Sequence, residues 1–148
     1  MSDVSHSRPI AAEPEAIWEV LADFGSLSAW ADDVDHSCVI HNGEGVDPLG
    51  MTRRVQVGRD AFVETIVAFA PPRLLAYEIS GLPRGISASN RWNLRPQGAG
   101  RTTVTLTCTA RTRTGPLRPI TDRIAARLVA GRSRALLDSL ATHCEETR

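Results

Sequence analysis

The stretch that most constrains this chain runs from Pro116 to Cys144, because it carries a helical period over its whole length. Leu117, Ile120, Ile124, Leu128, Gly131 and Ala135 recur at steps of three and four, which sets them on one stripe of an α-helix. The stripe begins bulky and ends small. Val129, Leu136, Leu140 and Cys144, flanked by Leu137, form a second apolar stripe nearly opposite, so the helix changes its packing face along its length. Such a helix lies across another layer. Gly131 costs roughly 1 kcal/mol relative to alanine in a helix interior, and with Ala135 it marks a shallow place where a backbone or a ligand approaches. Pro116 and Pro119 are tolerated if Pro116 is the first helical residue, since the first backbone N–H groups have no intrahelical partner to lose; Gly115 then sits at the cap.

A chain of 148 residues reads as one domain, spanning 1–148, long enough to need no staple. The three cysteines, Cys38, Cys108 and Cys144, are odd in number and unrelated in spacing, and no secretory signal opens the chain. Reduced thiols in a cytoplasm are expected. No apolar run is long enough to span a membrane. Seventeen basic residues balance seventeen acidic ones, which gives no reason to expect nucleic-acid binding. All seventeen are arginine, so amine nucleophiles and Schiff-base chemistry drop out of the candidate mechanisms.

Ser5 to Ala12 reads as a first strand. A helix follows with Pro14 at its first position and Ile17, Val20, Leu21 and Phe24 on its buried face, and Gly25 stops it. Ser26 to Asp33 reads as a brief second helix or turn carrying Trp30. From Asp35 to Arg113 the period changes to two, punctuated by Gly and Pro, which is the mark of antiparallel hairpins. Strands are expected at 36–42, 51–57, 61–69, 74–80, 87–95 and 102–112. In the last, Val104, Leu106, Cys108 and Ala110 alternate with Thr103, Thr105, Thr107 and Thr109, giving an apolar face and a hydroxyl face.

By layer rules the C-terminal helix must cover the apolar face of that sheet. The fold class expected is α+β, a curved antiparallel sheet wrapped around one long helix. PEAIWEVLADFGSLSAW at 14–30, VETIVAFAPPRLLAYEISG at 63–81 and RWNLRPQGAGRTTVTLT at 91–107 resemble the START-like, SRPBCC superfamily of helix-grip proteins, which includes polyketide cyclase/dehydrase-like and birch-pollen-allergen-like members. The resemblance covers nearly the whole chain. It implies a hydrophobic cavity between helix and sheet, with Trp30 beside its mouth, and a superfamily whose members range from cyclases and hydrolases to lipid carriers.

Within that frame the candidate ligand-binding residues are Trp30, Arg54, Glu64, Tyr77, Asn90, Trp92, Ile124, Arg127, Leu128 and Gly131. Asn90 and Trp92 share a strand face, as do Leu75, Tyr77 and Ile79, and together they make a wall with a few polar groups. Arg54 and Glu64 flank the VGRDA hairpin and could pair across it, inside the cavity or on the surface. The register leaves this open: a two-residue loop faces Glu64 with Arg53 or Val55, and one more loop residue brings Arg54 opposite. Arg127 projects near Gly131 and could hold the anionic end of an apolar ligand. His36 and His41 fall on opposite faces of their strand unless it is bulged, and His36 and Cys38 alone do not make a zinc site. Asp32, Asp33 and Asp35 read as a solvated loop. No metal and no cofactor is expected, and no GxSxG, Walker or GxGxxG motif is present.

Two functions fit these residues. One is a binding or carrier protein, monomer or homodimer, for a lipid, polyketide or aromatic molecule. The other is an aromatase/cyclase-like enzyme in which Arg54, Tyr77 or Asn90 polarises a carbonyl or moves a proton.

Overall fold

A computed structural model describes residues 2–43, 45–82, 86–111 and 118–146, without the side chains of Ser2 and of residues 118–130. The elements run β1 (Ser2–Ile10), α1 (Pro14–Ala22), a 3₁₀ segment (Phe24–Ala29), β2 (His36–Asn42), β3 (Met51–Val57), β4 (Asp60–Ala70), β5 (Leu74–Ser80), β6 (Ser87–Pro96), β7 (Thr102–Arg111) and α2 (Arg118–Glu146). The strands form one antiparallel seven-stranded sheet in the order β1-β7-β6-β5-β4-β3-β2. Only β1 is displaced from chain order, and it closes against β7 by pairing Ser2 with Ala110 through Ile10 with Thr102. This is the curved, unclosed sheet and C-terminal helix of the helix-grip fold. No helix among the described residues is long and apolar enough to cross a membrane.

Period-two patterning does the sorting in the sheet. Thr102, Val104, Leu106, Cys108 and Ala110 are buried, while Thr105 and Thr107 face outward and hydrogen-bond Ser7 and Ser5 of β1 at 2.7 and 2.9 Å. From Val104 to Ala110 the inner face of β7 is therefore apolar, and its outer face is a ladder of hydroxyls. On α1, Pro14 occupies the first turn, and Ile17, Trp18 and Leu21 are buried. Trp18 packs edge-on to Phe69 of β4. Gly25 lies in the 3₁₀ segment beyond the helix end, where an added Cβ would come within 2.7 Å of Val39 Cγ2. Glycine is needed there because the segment lies so close on β2.

Helix α2 buries Ser133, Leu136, Leu137, Leu140, Ala141 and Cys144, the continuation of the stripe of Leu136, Leu140 and Cys144. It packs on β1 and β7, and is tied at its edges by Arg8 Nη1 to Asp138 Oδ1 at 2.6 Å and by the Glu145 carboxylate accepting from the Ala11 N–H at 2.9 Å. Gly131 and Ala135 are exposed. The stripe that contains them thus turns to solvent in this half of the helix, because Leu136, Leu137 and Leu140 on the other side offer far more apolar area to bury. The expected start at Gly115, Pro116 and Leu117 lies outside the described residues.

Candidate functional site

Two adjacent inward rungs of the sheet carry Arg53, Glu64, Tyr77 and Asn90. One runs Arg53, Glu64, Ile79 and Ala88 across β3, β4, β5 and β6, and the next runs Ile66, Tyr77, Asn90 and Cys108 across β4, β5, β6 and β7. The turn between β3 and β4 has two loop residues, Gly58 and Arg59, with Val57 opposite Asp60. That register sets Arg53, not Arg54, opposite Glu64. Arg54 pairs with Val63 and is exposed, its Nη1 reaching Gln56 on the outer face.

The first rung builds a closed cluster. Arg53 and Glu64 are 4% and 1% exposed, and both Nε and Nη2 of Arg53 contact Glu64 Oε1, at 2.8 and 2.6 Å. Nη1 donates to the Phe24 carbonyl at 2.8 Å, and the guanidinium lies 3.8 Å from the Phe24 ring centre and 4.8 Å from that of Tyr77. The Tyr77 hydroxyl accepts from Asn90 Nδ2 at 3.2 Å and from Trp92 Nε1 at 3.1 Å. Burial, with the Glu64 carboxylate second, pushes the Tyr77 phenol above its ordinary value. Tyr77 is therefore a firmly protonated phenol. Glu64 Oε2 is buried without a hydrogen bond among the described residues.

Beside this cluster lies a cavity of about 390 Å³ between the β3–β4 turn, the β5–β6 hairpin, β7 and α2. Phe62, Ile79, Leu82, Ile86, Ala88 and Leu136 give it an apolar wall. Its polar edge comprises Asn90, Cys108, Ser133 and Arg132, with Asp60 at the turn. Cys108 Sγ and Ser133 Oγ are 2.7 Å apart, and burial pushes the Cys108 thiol up to about 11, against smaller lowering effects from Ser133 and Arg132. A thiol held protonated at neutral pH is a weak nucleophile.

Of the candidates read from sequence, Asn90 alone among those with described side chains lines the cavity, and it also touches the cluster through Tyr77. Tyr77 and Glu64 lie in the cluster behind it. Trp30 and Trp92 are buried core residues packed edge-on with ring centres 6.2 Å apart, and neither borders the cavity. Gly131 also lies off its wall: it is exposed, and an added Cβ meets nothing described within 4 Å. The side chains of Ile124, Arg127 and Leu128 lie outside those described. Cys108, Arg132 and Ser133 were missing from the expected set, and Arg53 stood in it only as the two-residue-turn alternative to Arg54. Arg132 and Ser133 had a signal, because the stripe of Leu136, Leu140 and Cys144 extended back one turn reaches both.

Strand β2 is bulged between Val39 and His41. His36 and His41 consequently pair with Gln56 and Thr52, which share the outer face of β3, so the two histidines lie on one face after all. They are four pairing positions apart, on the order of 13 Å along the strand, too far to share an ion. Among the described residues no group of three His, Cys, Asp or Glu side chains could hold a metal.

A family model described as "Polyketide cyclase / dehydrase and lipid transport" matches residues 1–145. Among solved structures, the Zhui aromatase/cyclase from Streptomyces sp. R1128 is 21% identical, with a TM-score of 0.78 over 97% of this chain and 93% of that one. A START superfamily protein from Mycobacterium smegmatis is 16% identical, with a TM-score of 0.77 over 99% of both chains. A norcoclaurine synthase point mutant from Thalictrum flavum is also 16% identical, with a TM-score of 0.75 over 99% of this chain and 95% of that one. A search of curated protein sequences finds no match. At these identities the structures share the fold.

Proposed function

Because the chain belongs to the polyketide cyclase/dehydrase and lipid transport family, we propose that it is a binding or carrier protein that takes a hydrophobic small molecule into the cavity between α2 and the sheet. The observation that carries this reading is the cavity itself. Its volume of about 390 Å³ falls in the range of small-molecule sites, and its wall of Phe62, Ile79, Leu82, Ile86 and Leu136 is apolar with a short polar edge. None of Tyr77, Arg53 and Cys108 is poised as a general base at neutral pH. Tyr77 holds its proton more tightly than usual, Arg53 is committed to Glu64 and Phe24, and Cys108 is pushed up to about 11.

One observation favours the second reading, an aromatase/cyclase-like enzyme. Asn90 joins the cavity wall to the Tyr77 hydroxyl, so a carbonyl in the cavity would lie close to a hydrogen-bonded phenol network. In that reading Tyr77 and Asn90 orient and polarise the carbonyl, and the cavity folds the chain that bears it.

Native mass spectrometry of the purified protein separates these readings, joined to titration with a neutral fluorescent naphthylamine. A carrier retains an apolar compound or binds the probe at one saturable site, and releases its ligand chemically unchanged. Binding that never saturates, with nothing co-purifying, would sink the cavity reading. Conversion of an added poly-ketone chain to a ring, lost in Asn90→Ala, would establish the enzyme instead.

A further inference from the structure

Arg132 stands on the α2 side of the cavity with hydrogen-bond donors uncommitted. Its Nε and Nη2 are both shielded from solvent, and neither makes a hydrogen bond with any described residue. Asp33 Oδ2 approaches Nε at 3.5 Å, an ion-pair distance too long for a good hydrogen bond. The guanidinium carbon lies 5.0 Å from the Phe62 ring centre, which braces the group against the apolar wall. The Nε and Nη2 edge of arginine is a planar fork that matches the two oxygens of a carboxylate. Desolvated donors left without acceptors are unfavourable, so an acceptor of that shape would be strongly held.

The rest of the polar edge agrees with an anionic guest beside an apolar body. Asn90, Ser133 and the protonated Cys108 thiol carry no charge, and Asp60 is exposed at the turn. Asp33 is the competing carboxylate. Its side chain is 35% exposed, so it can move into water as another carboxylate takes its place at the fork.

Resting on the reading of the cavity as a small-molecule site, we propose that its ligand is an acidic amphiphile, an apolar body bearing a carboxylate, with the Nε and Nη2 edge of Arg132 as the anchor and Phe62, Ile79 and Leu136 as the bed. Selectivity then comes from charge, and the apolar wall supplies the common part of the affinity.

Calorimetric titration of the full chain with naphthaleneacetic acid and with its methyl ester tests this at neutral pH. The acid should bind tenfold or more tighter than the ester, about 1.4 kcal/mol. Arg132→Gln should bring the two affinities together by weakening the acid alone, and Asp33→Asn should tighten the acid several-fold without moving the ester. The ester is thus an internal check that each variant keeps its cavity. Equal binding of acid and ester by the wild-type protein overturns the anchor and leaves the cavity reading standing, as does a preference that survives Arg132→Gln. Binding of neither compound overturns both. Should Arg132→Gln fail to fold, an unchanged acid affinity in Asp33→Asn overturns the anchor by itself.

Discussion

Arg53 and Arg132 face the same interior from opposite layers, one from the sheet and one from α2, and their surroundings treat them differently. Arg53 is 4% exposed with Nε, Nη1 and Nη2 all engaged by Glu64 and the Phe24 carbonyl. Arg132 is 24% exposed, lies over the Phe62 ring at 5.0 Å, and has shielded Nε and Nη2 atoms that make no hydrogen bond among the described residues. A buried cation whose donors are all committed inside the fold is architecture. One with an open fork on a cavity wall is available to a guest. Depth of burial alone would rank these two residues the wrong way round.

The largest effect should come from separating Arg53 from its partner. Arg53→Met leaves the Glu64 carboxyl, 1% exposed and already short of one hydrogen bond, without its counter-ion, which should destabilise the fold by about 3–5 kcal/mol. For a chain of this size that lowers the melting temperature by on the order of 10 °C. Adding Glu64→Leu should restore most of the loss, since a buried pair replaced on both sides is often neutral. A thermal melt of the single and double variants beside Arg132→Gln checks the contrast. If Arg53→Met melts like wild type and Arg132→Gln collapses, the two roles are exchanged.

Tyr77→Phe should come next. It removes the acceptor shared by Asn90 and Trp92 and leaves two buried donors, a loss of about 1–3 kcal/mol. The phenol also gives the fold a pH dependence. Its folded value lies above the ordinary 10.0, so its contribution is fully present below about pH 10 and is lost as pH rises through the folded value. Wild type should therefore lose stability more steeply than Tyr77→Phe above pH 10 in denaturant melts. Parallel curves across that range would mean that the phenol titrates as freely as it does in the unfolded chain.

What could be read from the residues was what depends on local period. The strands at 36–42, 51–57 and 74–80 have the expected bounds, and the threonine and apolar alternation of β7 divides into outer and inner faces as written. What could not be read depends on register. Period two places Arg53 and Arg54 on opposite faces without saying which is inside, and only the two-residue turn at Gly58 and Arg59 decides it. His36 and His41 were separated by the same parity argument, and a bulge of one residue in β2 reversed it. On α2 both apolar stripes were legible, but which one a sheet covers is decided by tertiary packing. The residues of the cavity edge suffered most, because Cys108 comes from a strand and Arg132 and Ser133 from the helix that follows it, and they converge only once α2 folds back onto β7.

Gly131 gives the smallest effect and the cleanest check of which side of α2 meets the cavity. The sequence pattern put it on the inner stripe, where leucine would either fill ligand volume or overpack the sheet. In the structure Gly131 is exposed and an added Cβ meets nothing described within 4 Å, while Arg132, Ser133 and Leu136 take the cavity side. Gly131→Ala should then raise stability by up to about 1 kcal/mol, through helix propensity and a less flexible unfolded chain. Gly131→Leu should gain nearly as much and leave the affinity for a neutral apolar probe unchanged. Melting curves and a probe titration on the two variants decide it. A tenfold loss of probe affinity in Gly131→Leu with the fold intact would mean that Gly131 lines the cavity and that the Arg132 fork lies off its wall.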